Sequence, residues 1–428
     1  MFLSVLCSMR KFWSTEMRIF ILLFLGFSVF QPHNLLAQYK GTASVSQGKA
    51  TTLTTNLYNC TGGRISGVGT CKSSDNKTWK VPAETQFENS NFPWASDLNN
   101  ACNGNNYKTE SEAISALNGT DIITVDSDGE VITAFIFADN YFEMYVNGVA
   151  IGKDKVPFTQ FNSSLVRFKV KQPFSVAMLL VDWEENLGLG SELNGGYAYH
   201  PGDGGMVAVF KNASGKIVGI TDRTWKAQTY YTAPIVDLSC PTETGSLRSS
   251  TSCSTADSKD GSAYYALHWD RPLTWMEKGF DDSQWPNASE YTNAVIGVNN
   301  KPAYTNFTNI FDDVTSDAQF IWSSNVVLDN EVVVRGIIGA SQSLEMPKTG
   351  IRRLYPNPTD GYLHLAQPLG SETMENLQIQ SMDGHVVAEA KQPHFPFHAG
   401  VELREGLYFV SLETATGITY QMIEFKQK

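Results

Sequence analysis

Short apolar runs separated by turn residues dominate this sequence from about residue 120 onward. Val131–Ala138 and Ser175–Val181 are nearly continuous apolar segments, and Leu165–Val170 alternates apolar and basic residues. Apolar residues do not recur with helical periodicity over any long stretch, whereas runs of this length and composition are typical of strands. The chain is therefore predicted to be all-β, as an antiparallel sandwich or jelly roll.

Two turn signals predict β-hairpins within this region. Asn147-Gly148 separates the β-rich runs Phe142–Val146 and Val149–Gly152, and Ser214-Gly215 precedes the run Lys216–Thr221. Type I′ turns need positive φ at both central positions, which Asn and Gly adopt readily.

Charge and size limit the function classes. The chain has 428 residues, enough for roughly two or three domains. Its net charge is −12 and its charged residues form no basic stripe, which argues against a nucleic-acid partner, because a phosphate backbone requires clustered Lys and Arg.

The N-terminus has the pattern of a secretory signal peptide. Met17-Arg18 is followed by the apolar run Ile19–Phe30, and Ala37 is a small residue at the expected cleavage position. Residues 1–37 are thus predicted to be removed, with Met17 as an alternative start. A retained anchor helix is the other interpretation, although the apolar run is short for a membrane span of about 20 residues.

Cysteine usage agrees with export. Cys60 and Cys71 are close in sequence, as are Cys240 and Cys253, and an oxidising compartment favours two disulfides between these neighbours. That pairing leaves Cys102 over, although other pairings, or free thiols, stay open. CxxC spacing does not occur, so a zinc site is not predicted.

The C-terminal region resembles the type A sorting domain of the type IX secretion system. Leu354-Tyr355-Pro356-Asn357-Pro358-Thr359, followed by Gly361, matches the opening of that family, and Gly406-Leu407-Tyr408-Phe409-Val410 matches its "G-x-Y-x-V" strand. The resemblance implies a small immunoglobulin-like β-sandwich that the type IX secretion machinery of a Bacteroidetes-type bacterium reads as a removable address. The protein would then be secreted or held at the outer cell surface. The sorting-motif residues are Tyr355, Pro356, Asn357, Pro358, Gly361, Gly406 and Tyr408.

The preceding region resembles the galactose-binding-like jelly roll found in bacterial glycosidases. The stretches Ala138–Gly148, Thr221–Lys226 and Gly279–Trp285 resemble its "ADN…VNG", "TD-x-x-WK" and "FDDS-x-W" motifs. The resemblance implies carbohydrate binding and permits a structural calcium ion; no other cofactor is implied. Ile321-Trp322-Ser323 fits the "IW" near the family's last strands. Trp225, Trp285 and Trp322 are interpreted as core anchors, and Asp222 and Asp282 as turn caps.

The predicted organisation is therefore a galactose-binding-like jelly-roll sandwich followed by a small immunoglobulin-like sorting domain. The boundaries are 1–37 signal peptide, 38–119 polar irregular region of loops and edge strands, 120–339 jelly roll, 340–351 linker and 352–428 sorting domain.

Two polar and aromatic clusters are candidates for glycan binding. One directly follows the apolar strand 175–181 and the other follows a Gly-rich loop, and both mix rings with groups that can pair with sugar hydroxyls. A solvated loop with structural aromatics is the alternative interpretation. The candidate ligand-binding residues are Trp183, Glu185, Asn186, Tyr197, Tyr199, His200 and Asp203.

Evidence for catalysis is limited. Asp182, Glu184, Glu185 and Asp203 could supply the carboxylate pair of a glycosidase, but the sequence lacks GxSxG, HExxH and P-loop motifs. Asp126–Glu130 resembles a fragment of a calcium loop without its later ligands and is interpreted as a β-turn. We therefore expect a non-catalytic carbohydrate-binding or adhesion protein, with a glycan or surface polysaccharide as its partner. A glycan-degrading hydrolase and a structural surface protein without a small ligand are the alternatives.

Overall fold

A computed structural model divides the chain into two compact units, Met1–Gly339 and Ala340–Lys428. The predicted signal peptide lies outside the described residues. In the part of the chain that the structure describes, none of the helices has the length and apolar character needed to cross a membrane. The described residues are 39–52, 58–60, 65–66, 70–80, 85–117, 122–156, 161–182, 186, 189–257, 259–262, 264–313, 316–339, 354–355, 359–365, 373–381, 385–399, 403–414 and 417–426.

The first unit is built almost entirely of strands, as predicted. Its short helices are α1 (Glu110–Ser115), α2 (Asn293–Ile296), α3 (Pro302–Thr305) and α4 (Thr308–Phe311), with 3₁₀ turns at Thr85–Phe87 and Val298–Asn300. Its strands are β1 (Ser44–Gln47), β2 (Ala50–Thr52), β3 (Tyr58–Asn59), β4 (Ile65–Ser66), β5 (Thr70–Ser73), β6 (Thr78–Lys80), β7 (Ser96–Asn100), β8 (Asn105–Asn106), β9 (Ile122–Thr124), β10 (Glu130–Asp139), β11 (Tyr141–Val146), β12 (Val149–Lys153), β13 (Ser163–Val170), β14 (Phe174–Val181), β15 (Ser191–Asn194), β16 (Tyr197–Pro201), β17 (Gly205–Asn212), β18 (Ile217–Ile220), β19 (Lys226–Ile235), β20 (Thr242–Thr244), β21 (Leu247–Ser249), β22 (Tyr265–His268), β23 (Ser289–Tyr291), β24 (Phe320–Trp322) and β25 (Asp329–Ile338).

Two sheets form a sandwich in this unit. The seven-stranded sheet has the order β1-β22-β19-β25-β14-β11-β12, and all its neighbours are antiparallel. The nine-stranded sheet follows the order β23-β24-β17-β10-β13-β7-β8, with β18 on β17 and β9 parallel to β13. This two-sheet, largely antiparallel architecture is the one that the jelly-roll resemblance implies.

Residues 39–117, expected to be loops and edge strands, contribute to both sheets. Strand β1 is the terminal strand of the seven-stranded sheet, and β7 and β8 end the nine-stranded sheet. Strands β2, β5 and β6 form a separate three-stranded sheet.

The core between the two sheets contains two of the three predicted tryptophan anchors, and the third is buried in a separate cluster. Trp225 and Trp322 are 2% and 0% exposed and belong to the inter-sheet core, and Trp285 is 8% exposed in a second apolar cluster, which confirms the prediction. Asp222 caps its turn by accepting from the Thr224 N–H at 2.8 Å. The interpretation of Asp282 needs correction, because its carboxylate binds Arg335 Nε at 2.6 Å and only its backbone carbonyl accepts from the Trp285 N–H.

Both predicted hairpins form. Asn147 and Gly148 have φ values of 49° and 86° at the turn between β11 and β12, as a type I′ turn requires. Strands β17 and β18 pair across Ser214-Gly215.

One of the two predicted disulfides is confirmed and the other is wrong. Cys240 is bonded to Cys253. Cys60 is bonded not to Cys71 but to Cys102, across a Cα–Cα distance of 5.0 Å. The Cys71 backbone is paired within a separate three-stranded sheet, with Thr52 of β2 and Trp79 of β6, whereas Cys60 follows β3 and bonds to Cys102 beyond β7. Closeness in sequence therefore did not decide the pairing.

The second unit is a small β-sandwich, as predicted. Its core contains Leu363, Ile379, Val410 and Ile423, all fully buried. A three-stranded sheet has the order β26-β27-β30 and a four-stranded sheet the order β29-β28-β31-β32. These strands are β26 (Leu354–Tyr355), β27 (Tyr362–Leu365), β28 (Met374–Ser381), β29 (Val386–Lys391), β30 (Phe397–His398), β31 (Gly406–Thr414) and β32 (Gly417–Phe425).

Candidate binding site

A cavity of about 980 Å³ lies on the outer face of the seven-stranded sheet. The alternation of β11 defines this face: Phe142 and Met144 point into the inter-sheet core, whereas Tyr141 and Tyr145 belong to the second apolar cluster on the opposite side. Glu143 shares the face of the two tyrosines and lines the cavity. We call this feature the sheet-face cavity.

The floor of the sheet-face cavity carries charged groups that the protein already engages. Glu331 of β25 is 6% exposed and forms an ion pair with Arg271, with Oε1 and Nε 2.8 Å apart. Glu143 is 1% exposed and accepts from the Tyr141 hydroxyl at 3.1 Å. Buried charges held in this way have fixed positions, because losing a partner would leave an uncompensated charge in the interior.

An arginine stacked between two rings forms the centre of the cavity. The Arg248 guanidinium lies 4.9 Å from the Tyr230 ring centroid and 4.8 Å from that of Trp269, and it donates to the Thr229 carbonyl. The pairing of β19 with β25 shifts register around Tyr230 and Tyr231, and both of these consecutive tyrosines line the cavity. An irregular strand register can re-aim side chains in this way.

The wall nearest β1 is formed by Trp79 of β6 and His268 of β22. Their rings are 4.3 Å apart, and His268 Nε2 lies 2.6 Å from the Ser46 hydroxyl of β1. Burial, together with the positive charge of Lys77, lowers the pKa of His268 to about 3, so the imidazole is neutral at pH 7. This wall therefore combines aromatic surface with uncharged hydrogen-bonding groups.

The charges that line the cavity balance. Lys77, Arg248 and Arg271 are cationic and Glu143, Asp270 and Glu331 are anionic, while His268 is neutral. Three positive and three negative charges leave no net charge that would attract a strongly ionic ligand.

The predicted ligand-binding residues lie elsewhere. Trp183 and Glu185 are outside the described residues, and Asn186, Tyr197, Tyr199, His200 and Asp203 do not line the sheet-face cavity. Asn186, Tyr197, Tyr199 and His200 lie on or beside the hairpin β15–β16, and Asp203 follows it.

Around this hairpin, internal contacts occupy several of the candidate groups. Lys49 Nζ is 4.9 Å from the Tyr199 ring centroid, His200 pairs with Asp257, and Asn186 Nδ2 donates to the Ala198 carbonyl at 3.0 Å. Tyr197, at 58% exposure, presents its ring to solvent. A glycan site on this hairpin stays a prediction.

Acidic residues cluster beneath the same hairpin. Burial, and then the charge of Glu192, raises the pKa of Asp203 to about 6. Burial and the charges of Asp203 and Asp182 likewise raise the pKa of Asp139. Within the described ranges, His, Cys, Asp and Glu side chains form no group of three or more suited to a metal ion.

The fragment that resembles a calcium loop forms a turn. The Gly129 N–H donates to the Asp126 carbonyl at 3.1 Å, and Asp128 pairs with Lys171 at 2.5 Å. A structural calcium ion stays a prediction.

The sequence contained a signal for the cavity that motif reasoning missed. Glu143 and Glu331 lie inside strands whose other residues are mainly apolar. A charged residue within a strand that is buried on both faces indicates a polar site on the outer face of the sheet.

In the second unit, the described sorting-motif residues have structural roles. Tyr408 is buried, its ring lies 5.2 Å from that of Phe425, and its hydroxyl donates to the Arg404 carbonyl at 3.0 Å. Gly361 and Gly406 have φ values of 112° and 151°, which favour glycine. Tyr355 is the last residue of β26, a strand of the three-stranded sheet, and Pro356, Asn357 and Pro358 lie outside the described residues.

Comparison with known proteins bears mainly on this second unit. Two solved structures of a Pleurotus ostreatus lectin, one apo and one in complex with GalNAc, share 11% and 12% identity with the chain. Each comparison covers 71% of this chain, with 73% and 74% of the lectin chains, at a TM-score of 0.20, which is too low to establish a shared fold. No curated protein sequence matches the chain.

Residues 353–424 match the family described as the secretion system C-terminal sorting domain. The chain therefore carries a sorting domain at its C-terminal end and is exported by type IX secretion to the cell surface or the extracellular space.

Proposed function

We propose that this exported protein is a non-catalytic glycan-binding protein, acting in recognition or adhesion, and that the sheet-face cavity is its binding site. One cavity of about 980 Å³ combines aromatic rings with fixed hydrogen-bonding groups, and this combination carries the proposal. Sugars offer apolar C–H faces that pack on rings and hydroxyl groups that pair with carboxylates, guanidinium groups and hydroxyls.

The balance of charge in the cavity favours an uncharged glycan. Arg271 and Glu331 neutralise each other, and His268 carries no charge at neutral pH. A polyanion would instead require an excess of Lys and Arg. Hydroxyl groups can accept from the guanidinium and donate to the carboxylate without separating the pair.

The contacts of the cavity carboxylates, Glu331 and Glu143, fit glycan binding better than glycoside hydrolysis. A glycosidase places two carboxyl groups on either side of the bond that it cleaves and uses them for proton transfer or attack. In this cavity, Glu331 is held by Arg271 and Glu143 accepts from the Tyr141 hydroxyl. Both groups are suited to orienting hydroxyls rather than to exchanging protons.

The test is glycan-array binding by the full mature chain, with Trp269→Ala as the cavity variant. Loss of a stacking ring costs about 1 kcal/mol or more, so affinity should fall about fivefold or further. Trp94→Ala is the matched control, since Trp94 is 45% exposed and does not line the cavity. Thermal melting of both variants separates lost affinity from lost folding.

Two outcomes would contradict the proposal. If no glycan on the array binds, the protein is not glycan-binding. If Tyr199→Ala abolishes binding and Trp269→Ala does not, the ligand binds at the hairpin β15–β16 and the sheet-face cavity has been assigned wrongly.

A further inference from the structure

The sheet-face cavity runs across the strands of the seven-stranded sheet. Its lining includes Ser46 of β1, His268 of β22, Tyr230 of β19, Glu331 of β25 and Glu143 of β11. In the sheet order, β1 and β11 are separated by five inter-strand steps. With neighbouring strands about 4.8 Å apart, the lining spans roughly 24 Å.

Rings and hydrogen-bonding groups recur along this length. The edge subsite, nearest β1, contains Ser46, Trp79 and His268. The middle subsite contains Tyr230, Arg248 and Trp269, in which the guanidinium lies between the two rings. The far subsite is defined by Glu143, Tyr145 and Trp275.

The far subsite repeats the pattern of the first two. The rings of Tyr145 and Trp275 meet edge to face at a centroid distance of 5.2 Å, and Glu143 lies on the same face of β11 as Tyr145. All three residues line the cavity. Each subsite therefore places a polar group beside aromatic rings. Tyr145, Trp275 and Glu143 are 7%, 4% and 1% exposed, so the far subsite offers a ligand less surface than the other two.

Strand β1 extends the polar side of the edge subsite. Ser44 and Ser46 occupy alternate positions of β1, Thr42 lies two residues before the strand, and all three line the cavity. Alternate residues of a strand share one face and lie about 6.8 Å apart. The Thr42 hydroxyl donates to Glu243 at 2.7 Å and the Ser46 hydroxyl lies 2.6 Å from His268 Nε2, so the exposed Ser44 hydroxyl is the one of the three that a ligand would reach first.

We infer that the sheet-face cavity binds several consecutive units of an uncharged oligosaccharide rather than a single sugar. The inference rests on the proposed glycan-binding function and adds the size of the ligand. A volume of about 980 Å³ is at the upper end of the range for small-molecule sites, and the three subsites lie in a row across the sheet. One sugar ring could contact only one of the subsites.

The test measures affinity against chain length. Calorimetric titration of the full mature chain uses linear β-1,4-linked oligomers of glucose, mannose and N-acetylglucosamine, from one to six units. If the array ligand is outside these three series, its own one-to-six-unit series replaces them. We expect at least a tenfold gain in affinity from one unit to four, followed by a plateau.

Variants at one subsite locate the ligand along the cavity. Trp79→Leu, in the edge subsite, should lower the affinity for the longest oligomer at least fivefold and move the plateau to a shorter chain. Trp94→Leu, the same substitution outside the cavity, should change neither value.

Failure of this inference differs from failure of the proposed function. A monosaccharide that binds as tightly as its hexamer would overturn the extended site and leave glycan binding intact. If the Trp79→Leu variant is folded and its plateau is unchanged, the edge subsite does not contact the oligosaccharide. If polygalacturonate binds more tightly than every neutral series, the inference that the ligand is uncharged is wrong. Absence of binding by any glycan removes the proposed function itself.

Discussion

At the scale of single residues, Asp203 makes stability depend on pH. Burial and Glu192 raise its pKa to about 6, well above the ordinary aspartate value of 3.8. The folded protein therefore holds a proton that the unfolded chain releases between about pH 4 and 6, so this contribution to stability is present at low pH and is lost as pH rises through that window.

Asp203→Asn should consequently raise the free energy of unfolding at pH 7 by on the order of 1–2 kcal/mol and change it little at pH 4. Denaturant unfolding at the two pH values measures the effect. Asp281→Asn is the control. The Ser283 hydroxyl and the Ser283 N–H donate to the Asp281 carboxylate and lower its pKa, so removing this carboxylate should not stabilise the protein. If Asp203→Asn stabilises the protein equally at both pH values, the stability effect does not come from a raised pKa of Asp203.

At the scale of elements, local signals could be read from the sequence and the site could not. The turn at Asn147-Gly148 and the strand at Ser175–Val181 are determined by the residues of these segments themselves, and both form as predicted. The sheet-face cavity depends instead on which strands become neighbours, such as β1 and β22 or β11 and β14. That information is distributed over some 290 residues between Thr42 and Glu331 and is contained in none of the motifs.

The disulfide between Cys60 and Cys102 illustrates the same limit and gives a test at this scale. Non-reducing peptide mapping should recover cross-linked peptides containing Cys60 with Cys102 and Cys240 with Cys253. Replacing Cys60 and Cys102 by Ala should cost about 3–4 kcal/mol in the chain-entropy model, since their bond closes a loop of 42 residues. Cys71→Ala should leave the unfolding free energy almost unchanged. Recovery of a Cys60–Cys71 peptide would show that the pairing described here is incorrect.

At the scale of the whole molecule, the sorting domain and the proposed glycan-binding cavity belong to different units. Deleting residues 351–428 removes the sorting domain and should leave the protein in the periplasm of a host with type IX secretion, as fractionation and surface labelling would show. Full-length Trp269→Ala should still reach the surface, because its change is confined to the first unit. Surface delivery of the truncated chain at the normal level would mean that residues 351–428 are not the export signal.

The position of β1 has a consequence for the order in which the chain can fold. Ser46 and His268, which contact each other in the edge subsite, are separated by 222 positions. Closing so large a loop costs entropy before the contacts form, so β1 should pair late. Until then β22 presents an open edge to which another chain could add. A chain arrested at that stage would retain the far subsite and lack the edge subsite, so affinity for a long oligosaccharide would report how much of the population has completed folding.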